Sequence, residues 1–324
     1  MSKSIRLAVL SVFAVLMLSA RPLAQVATNV GVTTSTKNPL QIALLHWYKA
    51  NLTTQFPVGS EPFGVAFDGD NIWAANEGSD SVTKLRASDG TNLGTFAVGT
   101  QPFGVAFDGA NIWVANSLGN NVTKLRARDG ANLGTFAVGS FPFGVAFDGA
   151  NVWVTNAFSN TVTKLRASDG ATLGTFAVAD PQGLAFDGKS IWVASPISNT
   201  VTKLRASDGT ALGTFAVGTT PVAVAFDGKN IWVANQNSSN VSKLQASDGK
   251  NLGTFAAQSG PTGVAFDGAN IWVANFFSNT VTKLRASDGK NLGTFAVGGV
   301  PAGVAFDGAN IWVANQFSNT LSKL

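Results

Sequence analysis

Side chains that commonly perform catalysis or bind metals are scarce in this chain of 324 residues. It contains no cysteine and a single histidine, His46, so no second imidazole is present to share a metal ion or a proton relay. Glu61 and Glu77 are the only glutamates, and Asp80 lies close behind them. These three carboxylates could hold a hard cation such as Ca²⁺ or Mg²⁺, or a cationic group of a ligand. A solvated acidic patch is the competing interpretation, because calcium usually takes about six or more oxygen ligands.

Phenylalanine supplies a second group of residues that could bind a ligand. One set of phenylalanines lies beside predicted turns. Its members are Phe63, Phe103, Phe141, Phe143, Phe158, Phe276, Phe277 and Phe317. Apolar side chains that gather on one face commonly form contact surfaces for other molecules. The sequence therefore predicts a ligand-binding rim built from these rings, with plugging of the channel mouth as the alternative for some of them.

A repeat centred on tryptophan determines where both groups lie. Tryptophan recurs at Trp73, Trp113, Trp153, Trp192, Trp232, Trp272 and Trp312, with spacings of 40, 40, 39, 40, 40 and 40 residues. An Asp-Gly pair precedes each one, at Asp68, Asp108, Asp148, Asp187, Asp227, Asp267 and Asp307. The tryptophans could form an aromatic ring for a ligand, and the aspartates a ring for a metal. The pattern favours structural roles instead, because bulky residues pack between repeating units and Asp-Gly forms tight turns.

Each copy of the repeat divides into four short β-type segments. In the second copy they are residues 104–108, 111–116, 121–127 and 132–138, separated by turn residues. On the third segment, Lys84, Arg86 and their equivalents are predicted to extend along the neighbouring unit toward solvent. Four strands in a unit of about 40 residues are typical of a β-propeller blade. The sequence thus predicts an all-β protein, a seven-bladed β-propeller of four-stranded antiparallel blades over residues 50–324.

The two ends of the repeat region complement each other. The last copy ends after its third strand at Leu324, and residues 52–59 match the missing fourth strand in phase. An N-terminal strand is therefore predicted to complete the last blade and close the ring, which removes an open sheet edge.

Residues 139–165, GSFPFGVAFDGANVWVTNAFSNTVTKL, resemble the YVTN/NHL-type repeats of bacterial secreted β-propellers. Val154, Thr155 and Asn156 occupy the strand motif of that family. The resemblance implies export and a relationship to propellers of the virginiamycin B lyase type and to gluconolactonase-like hydrolases. Such lyases use His and Glu residues around the channel, whereas the only histidine here lies outside the repeats. No catalytic residue is therefore assigned.

Differences between the copies concentrate in two connections, the one that leads into the first strand and the one that follows the tryptophan strand. In an up-and-down blade these connections emerge on the same face of the disc. They contain no Lys or Arg. Variable loops on a rigid scaffold usually carry binding, although drift after duplication would also diversify them.

The N-terminal region carries separate signals. Residues 1–24 have the layout of a secretory signal peptide, with Lys3 and Arg6 before an apolar run and cleavage after Ala24 or Ala20. Residues 25–49 are predicted to form a flexible lead-in and a short amphipathic helix from Asn38 to Lys49, with an extra strand as the alternative. We expect a secreted or periplasmic protein with no integral membrane span after cleavage.

The predicted function is that of an exported, non-enzymatic binding or scaffold module that contacts a protein, peptide or glycan through its variable-loop face. The alternatives are a metal-dependent lyase or lactonase-like enzyme and a purely structural envelope or matrix protein. Without Lys3, Arg6 and Arg21, 19 basic residues stand against 18 acidic ones, which argues against a nucleic-acid partner. A monomer is expected, with no cofactor unless the acidic residues bind Ca²⁺ or Mg²⁺.

Overall fold

The computed structural model describes residues 54–324. The predicted signal peptide, lead-in and amphipathic helix, together with His46, lie outside this range. In the part of the chain that is described, no helix is long and apolar enough to span a membrane.

The described chain contains 28 strands, arranged in seven four-stranded antiparallel sheets. Strand β1 spans Gln55–Pro57, and the first blade contains β2 (Pro62–Phe67), β3 (Asn71–Asn76), β4 (Ser81–Arg86) and β5 (Asn92–Ala97). The second blade contains β6 (Pro102–Phe107), β7 (Asn111–Asn116), β8 (Asn121–Arg126) and β9 (Asn132–Ala137). The third contains β10 (Pro142–Phe147), β11 (Asn151–Asn156), β12 (Thr161–Arg166) and β13 (Thr172–Ala177).

The remaining blades repeat this pattern. The fourth contains β14 (Leu184–Phe186), β15 (Ser190–Ser195), β16 (Thr200–Arg205) and β17 (Ala211–Ala216). The fifth contains β18 (Pro221–Phe226), β19 (Asn230–Asn235), β20 (Asn240–Gln245) and β21 (Asn251–Ala256). The sixth contains β22 (Pro261–Phe266), β23 (Asn270–Asn275), β24 (Thr280–Arg285) and β25 (Asn291–Ala296). The seventh contains β26 (Pro301–Phe306), β27 (Ile311–Asn315) and β28 (Thr320–Lys323), and a 3₁₀ turn at Glu77–Ser79 follows β3 in the first blade.

The seventh blade is completed from the other end of the chain, as the sequence predicted. Strand β1 pairs antiparallel with β28, with Gln55 opposite Ser322 and Phe56 opposite Leu321. The predicted match covered residues 52–59, and the observed strand is limited to Gln55–Pro57. The predicted seven-bladed, four-stranded architecture is confirmed.

The hydrophobic core lies between the blades and consists of seven clusters, each shared by two neighbouring sheets. In one of them Trp73 and Val82 of the first blade pack against Ile112 and Leu125 of the second. Six of the seven propeller tryptophans are fully buried, and Trp272 is 8% exposed. The interpretation of the tryptophans as packing residues is therefore correct, because their rings fill the space between sheets.

The repeated aspartates build turns and hold the tryptophans in place. In the second blade, Asp108 accepts hydrogen bonds from the backbone N–H groups of Ala110 and Asn111 through Oδ1. Its Oδ2 accepts the indole N–H of Trp113 at 2.8 Å. The same indole bond recurs in all seven blades, at 2.7–2.8 Å. These carboxylates are thus engaged in local structure, as the turn interpretation predicted.

The lysines of the third strands occupy a different environment from the one expected. Lys84 was predicted to extend toward solvent, but it is buried. Its ammonium lies 5.1 Å from the centre of the Trp73 ring and donates to the carbonyls of Ala127 and Arg128 in the next blade. The prediction was wrong because those acceptors are backbone atoms about one full repeat away in sequence. Arg86, on the same strand, does face solvent and pairs with Asp89.

Candidate functional site

Paired turns form the face on which the variable connections meet, here called the loop face. In the third blade the backbone N–H of Ala157 donates to Phe141 O and that of Phe158 donates to Ser140 O, so the two connections are bonded together. Phe141 and Asn160 both adopt left-handed backbone conformations, with φ of 55° and 53°. The Asn120 side chain of the second blade also accepts the N–H of Phe141. The loop face is therefore a set of hydrogen-bonded turns held to one another across blade boundaries.

Five large apolar side chains stand out from this face, at equivalent positions in five different blades. They are Leu118, Phe158, Ile197, Phe277 and Phe317, and their exposed fractions range from 62% to 83%. We call this set the apolar crown. Gly78 and Asn237 occupy the same turn position in the two remaining blades. Each crown residue is the second residue of the turn that follows the tryptophan strand.

The sequence interpretation included only part of the crown. It placed Phe158, Phe277 and Phe317 on the rim but left out Leu118 and Ile197, because it considered aromatic residues alone. Alignment of the turns would have revealed both, since each occupies the same turn position as Phe158.

A second group of the predicted phenylalanines lies at the centre of the ring. Phe63, Phe103 and Phe143 form a phenylalanine cluster in which Phe63 meets the other two rings edge to face, at centroid distances of 4.8 and 5.5 Å. Phe103 and Phe143 stack at 5.0 Å. Together with Phe276 they line a cavity of about 330 Å³ at the inner strands, here called the channel cavity. Seven of the eight predicted phenylalanines therefore belong to two distinct environments, and Phe141 lies between them.

Two aromatic pairs connect the crown with the cavity. Phe141 stacks on Phe158 at 4.3 Å and lies 6.0 Å from Phe103. Phe276 lines the cavity and contacts Phe277 of the crown edge to face at 5.1 Å. The crown and the cavity mouth are thus adjacent on the loop face.

Glu77 lies at the junction between the first blade and its two neighbours. Its Oε1 accepts a hydrogen bond from Gln101 Nε2 and its Oε2 accepts one from Gln316 Nε2, both at 2.8 Å. Burial raises the pKa of the Glu77 carboxyl and the nearby charge of Glu61 adds to the rise, while the two glutamine bonds oppose it. The net direction is upward because the loss of solvation outweighs the two donors.

The other two carboxylates of the predicted cation site are placed differently. Asp80 Oδ1 accepts the backbone N–H of Gln101 at 2.8 Å, the role that asparagine plays in five other blades. Glu61 is exposed and its own N–H donates to Asn319. Among residues 54–324, no group of three or more His, Cys, Asp or Glu side chains is arranged to hold a metal ion. The structure thus brings Glu61 and Glu77 near each other and directs Asp80 to the backbone.

Solved structures of several enzymes resemble this architecture. Hydrazine synthase from Kuenenia stuttgartiensis is similar with a TM-score of 0.73 and 19% identity, over 85% of this chain and 97% of that chain. A streptogramin B lyase gives a TM-score of 0.72 at 17% identity, over 83% and 95% of the two chains. Virginiamycin B lyase from Staphylococcus aureus gives 0.72 at 15% identity, over 83% and 97%.

These are similarities of fold. The predicted likeness to propellers of the virginiamycin B lyase type is confirmed at that level. The sequence matches no protein-family model and no curated protein. Propellers host unrelated activities, so these similarities concern the fold and not the function.

Proposed function

We propose that this protein is an exported, non-enzymatic binding module that recognises a protein, peptide or glycan through its loop face. The observation that carries the proposal is the apolar crown, in which five blades expose a large apolar side chain at one turn position. Exposed apolar groups collected on one face commonly mark a contact surface.

The construction of the turns supports this proposal. The crown side chains project from turns that are hydrogen-bonded to the adjoining connection and, in all five cases, to the neighbouring blade. A rigid display of this kind lowers the conformational entropy that binding would cost. The loop-face connections also carry four carboxylates and no Lys or Arg, which favours a partner with a neutral or basic contact surface. The carboxylates are Glu61, Glu77, Asp80 and Asp180.

The proposal is tested by replacing Phe158, Phe277 and Phe317 together with serine. The immobilised wild type and the variant are exposed to envelope and culture-medium fractions of the producing cells and to a glycan array. Leu133→Ser/Leu212→Ser, on outer strands of other blades, is the control for loss of partly exposed apolar surface. We expect the crown variant to lose at least about tenfold in affinity for the partner recovered, because central aromatic contacts dominate interfaces.

Equal partner binding by the crown variant and the wild type would overturn the proposal. Unaltered folding combined with failure to bind any fraction or glycan would favour the purely structural alternative. Circular dichroism and urea unfolding verify that each variant retains the propeller.

One observation favours enzymatic activity as a second candidate. Glu77 is a half-buried carboxyl with a raised pKa on the loop face, and such groups are common acid–base catalysts. Two of the similar folds are a streptogramin B lyase and virginiamycin B lyase. Incubation of this protein with a streptogramin B and Mg²⁺ tests that reaction, with Glu77→Gln as the inactive comparison. Conversion of the streptogramin B that disappears in Glu77→Gln would support the lyase, and an unchanged substrate would count against it.

A further inference from the structure

The channel cavity has two unlike walls. The phenylalanine cluster, Phe63, Phe103 and Phe143, lines it from the first three blades. The wall from the fourth and fifth blades includes the side chains of Gln182 and Gln236. Aliphatic residues at one position of each inner strand, such as Val65 and Leu184, complete the lining. Phe276 of the sixth blade adds a further ring, so the cavity is largely apolar and aromatic and carries carboxamides at the fourth and fifth blades.

The two carboxamides in the cavity differ from the other glutamines of the loop face. Gln101 and Gln316 are both bonded to the Glu77 carboxylate at 2.8 Å. The side-chain amides of Gln182 and Gln236 have no hydrogen-bond partner among residues 54–324, although Gln236 holds the same turn position as Gln316. Each amide offers two donors and a carbonyl acceptor. The cavity thus contains uncommitted hydrogen-bonding groups opposite aromatic rings.

Two threonines also line the cavity, one from the fifth blade and one from the sixth, and both make hydrogen bonds. Thr220 Oγ1 accepts from Asn237 Nδ2 at 2.8 Å, and Thr262 Oγ1 donates to Pro301 O at 3.1 Å. The two glutamines are therefore the polar side chains best able to orient a ligand.

Charge is missing from this lining. None of the residues that line the channel cavity is Asp, Glu, Lys, Arg or His. An ion that entered would lose water without meeting an opposite charge, which is strongly unfavourable. The volume of about 330 Å³ falls within the lower part of the range for small-molecule sites.

We propose that the channel cavity binds a small, uncharged aromatic molecule that bears an amide-like hydrogen-bonding group. Its ring packs against the phenylalanine cluster, and its polar group bonds to the amides of Gln182 and Gln236. This site is separate from the apolar crown, so it does not depend on the binding function proposed for the crown.

The test uses benzamide, the simplest probe of this class, with benzoate and benzamidinium as matched anionic and cationic analogues. Ligand-observed saturation-transfer NMR measures their binding to the folded protein at millimolar concentration. We expect benzamide to bind, and both ions to bind at least about tenfold more weakly, because the cavity offers neither of them a counter-charge.

Two variants locate the probe. Gln182→Leu/Gln236→Leu is expected to weaken benzamide binding about tenfold, because two hydrogen bonds are removed while the volume is kept. Ala223→Phe, which places a ring in the cavity lining, is expected to abolish the signal. Gln316→Leu is the matched control for loss of a glutamine at the same turn position, and Phe317→Ser is the control for the crown. Both controls should bind benzamide as the wild type does.

The proposal would be overturned if benzamide did not bind, or if benzoate and benzamidinium bound as tightly as benzamide. It would also be overturned if Gln182→Leu/Gln236→Leu bound benzamide with the affinity of the wild type. If Ala223→Phe does not fold, the double glutamine variant still decides the outcome. Phe317→Ser is expected to weaken only partner binding at the crown, and the double glutamine variant is expected to weaken only benzamide binding in the cavity. Failure of the crown proposal can therefore be distinguished from failure of the cavity proposal.

Discussion

At the scale of single residues, the repeated lysines and arginines of the third strands lie in different environments, although both recur at fixed positions in the sequence. Lys164 and Arg166 lie on one strand, and both have counterparts in other blades. Lys164 is buried and donates to Ala206 O at 2.7 Å and Ser207 O at 3.2 Å. Arg166 is half-exposed and pairs with Asp169 at 2.9 Å. Only the structure separates them, because the acceptors of Lys164 are backbone atoms of the next blade.

Replacement of these two residues by glutamine should have unequal effects. Lys164→Gln should lower the free energy of unfolding by about 1.5–3 kcal/mol, the usual worth of hydrogen bonds from a charged group. Arg166→Gln should change it by less than about 1 kcal/mol, since exposed ion pairs contribute little and the fifth blade already has Gln245 at this position. Urea unfolding monitored by tryptophan fluorescence measures both, and equal losses would contradict this view of the lysine.

Glu77 predicts a pH dependence of stability. Its pKa is raised above the ordinary value of 4.5, first by burial, against the opposing bonds from Gln101 and Gln316 and with the added charge of Glu61. A raised carboxyl pKa stabilises the folded state fully below the unfolded pKa, and this contribution is lost as pH rises through the folded pKa. The Glu77→Gln variant has no carboxyl at this position, so its stability does not include this pH-dependent contribution.

The free energy of unfolding of Glu77→Gln, minus that of the wild type, should therefore increase as pH rises from below 4.5 and then level off. The substitution also alters the hydrogen bonds with Gln101 and Gln316, but this adds the same amount to the stability difference at every pH and does not change its slope. Urea unfolding at a series of pH values measures the difference. A difference that stays flat or falls would show that the Glu77 pKa is not raised.

At the scale of secondary-structure elements, the connections into the inner strands carry backbone strain. One residue of each connection takes a left-handed conformation, and the residue types include Val300 at φ 57° and Gly260 at φ 73°. A β-branched residue is strongly disfavoured there, whereas glycine adopts it freely. This strain could not be predicted from the sequence, because it depends on a turn geometry that residues of quite different types share.

Val300→Gly should therefore stabilise the protein by about 0.5–1 kcal/mol, the relief of left-handed strain less the entropy cost of glycine. The reverse change, Gly260→Val, should destabilise it, because a Cβ there would meet Phe277 Cδ2 at 2.5 Å as well. Thermal and urea unfolding measure the pair. A loss of stability in Val300→Gly would show that valine contributes packing that exceeds the strain.

The two groups of phenylalanines also differ at this scale. Phe143 lies within an inner strand and meets the cavity, whereas Phe158 lies on a turn and faces solvent. Sequence reasoning placed both on one rim, because each lies beside a predicted turn. The side chain's direction depends on a strand irregularity between Pro142 and Val145, which single-residue patterns do not reveal.

At the scale of the whole molecule, the spacing of the tryptophans was enough to predict the ring. Seven units of nearly constant length, four strands in each, and a strand missing from one end specify a closed propeller. The channel cavity could not be foreseen in the same way. It exists because inner-strand residues of different size meet at the axis. The shape of the space that they leave depends on all seven blades together, so no single repeat reveals it.

Closure of the ring should account for a substantial part of its stability. Phe56 of β1 is 8% exposed and contacts Trp312 at 5.3 Å, whereas the equivalent Phe295 is 39% exposed and contacts Trp272 at 5.5 Å. Phe56→Ala should cost about 3–5 kcal/mol, the usual range for a buried phenylalanine, and Phe295→Ala clearly less. Urea unfolding compares them, and a smaller loss for Phe56→Ala would mean that β1 contributes little to closure.

The pairing of β1 with β28 has a mechanical consequence. The strands are antiparallel, and both join the propeller at the Pro57–Thr320 end of the pair. Thr54 O accepts the N–H of Lys323 at the other end, beside Leu324. A pulling force applied through Thr54 and Leu324 would load the hydrogen bonds one after another, as in a zipper, and not all together in shear. The ring should then open at this seam under a small force, while the other six blades, whose outer strands are not pulled directly, stay folded.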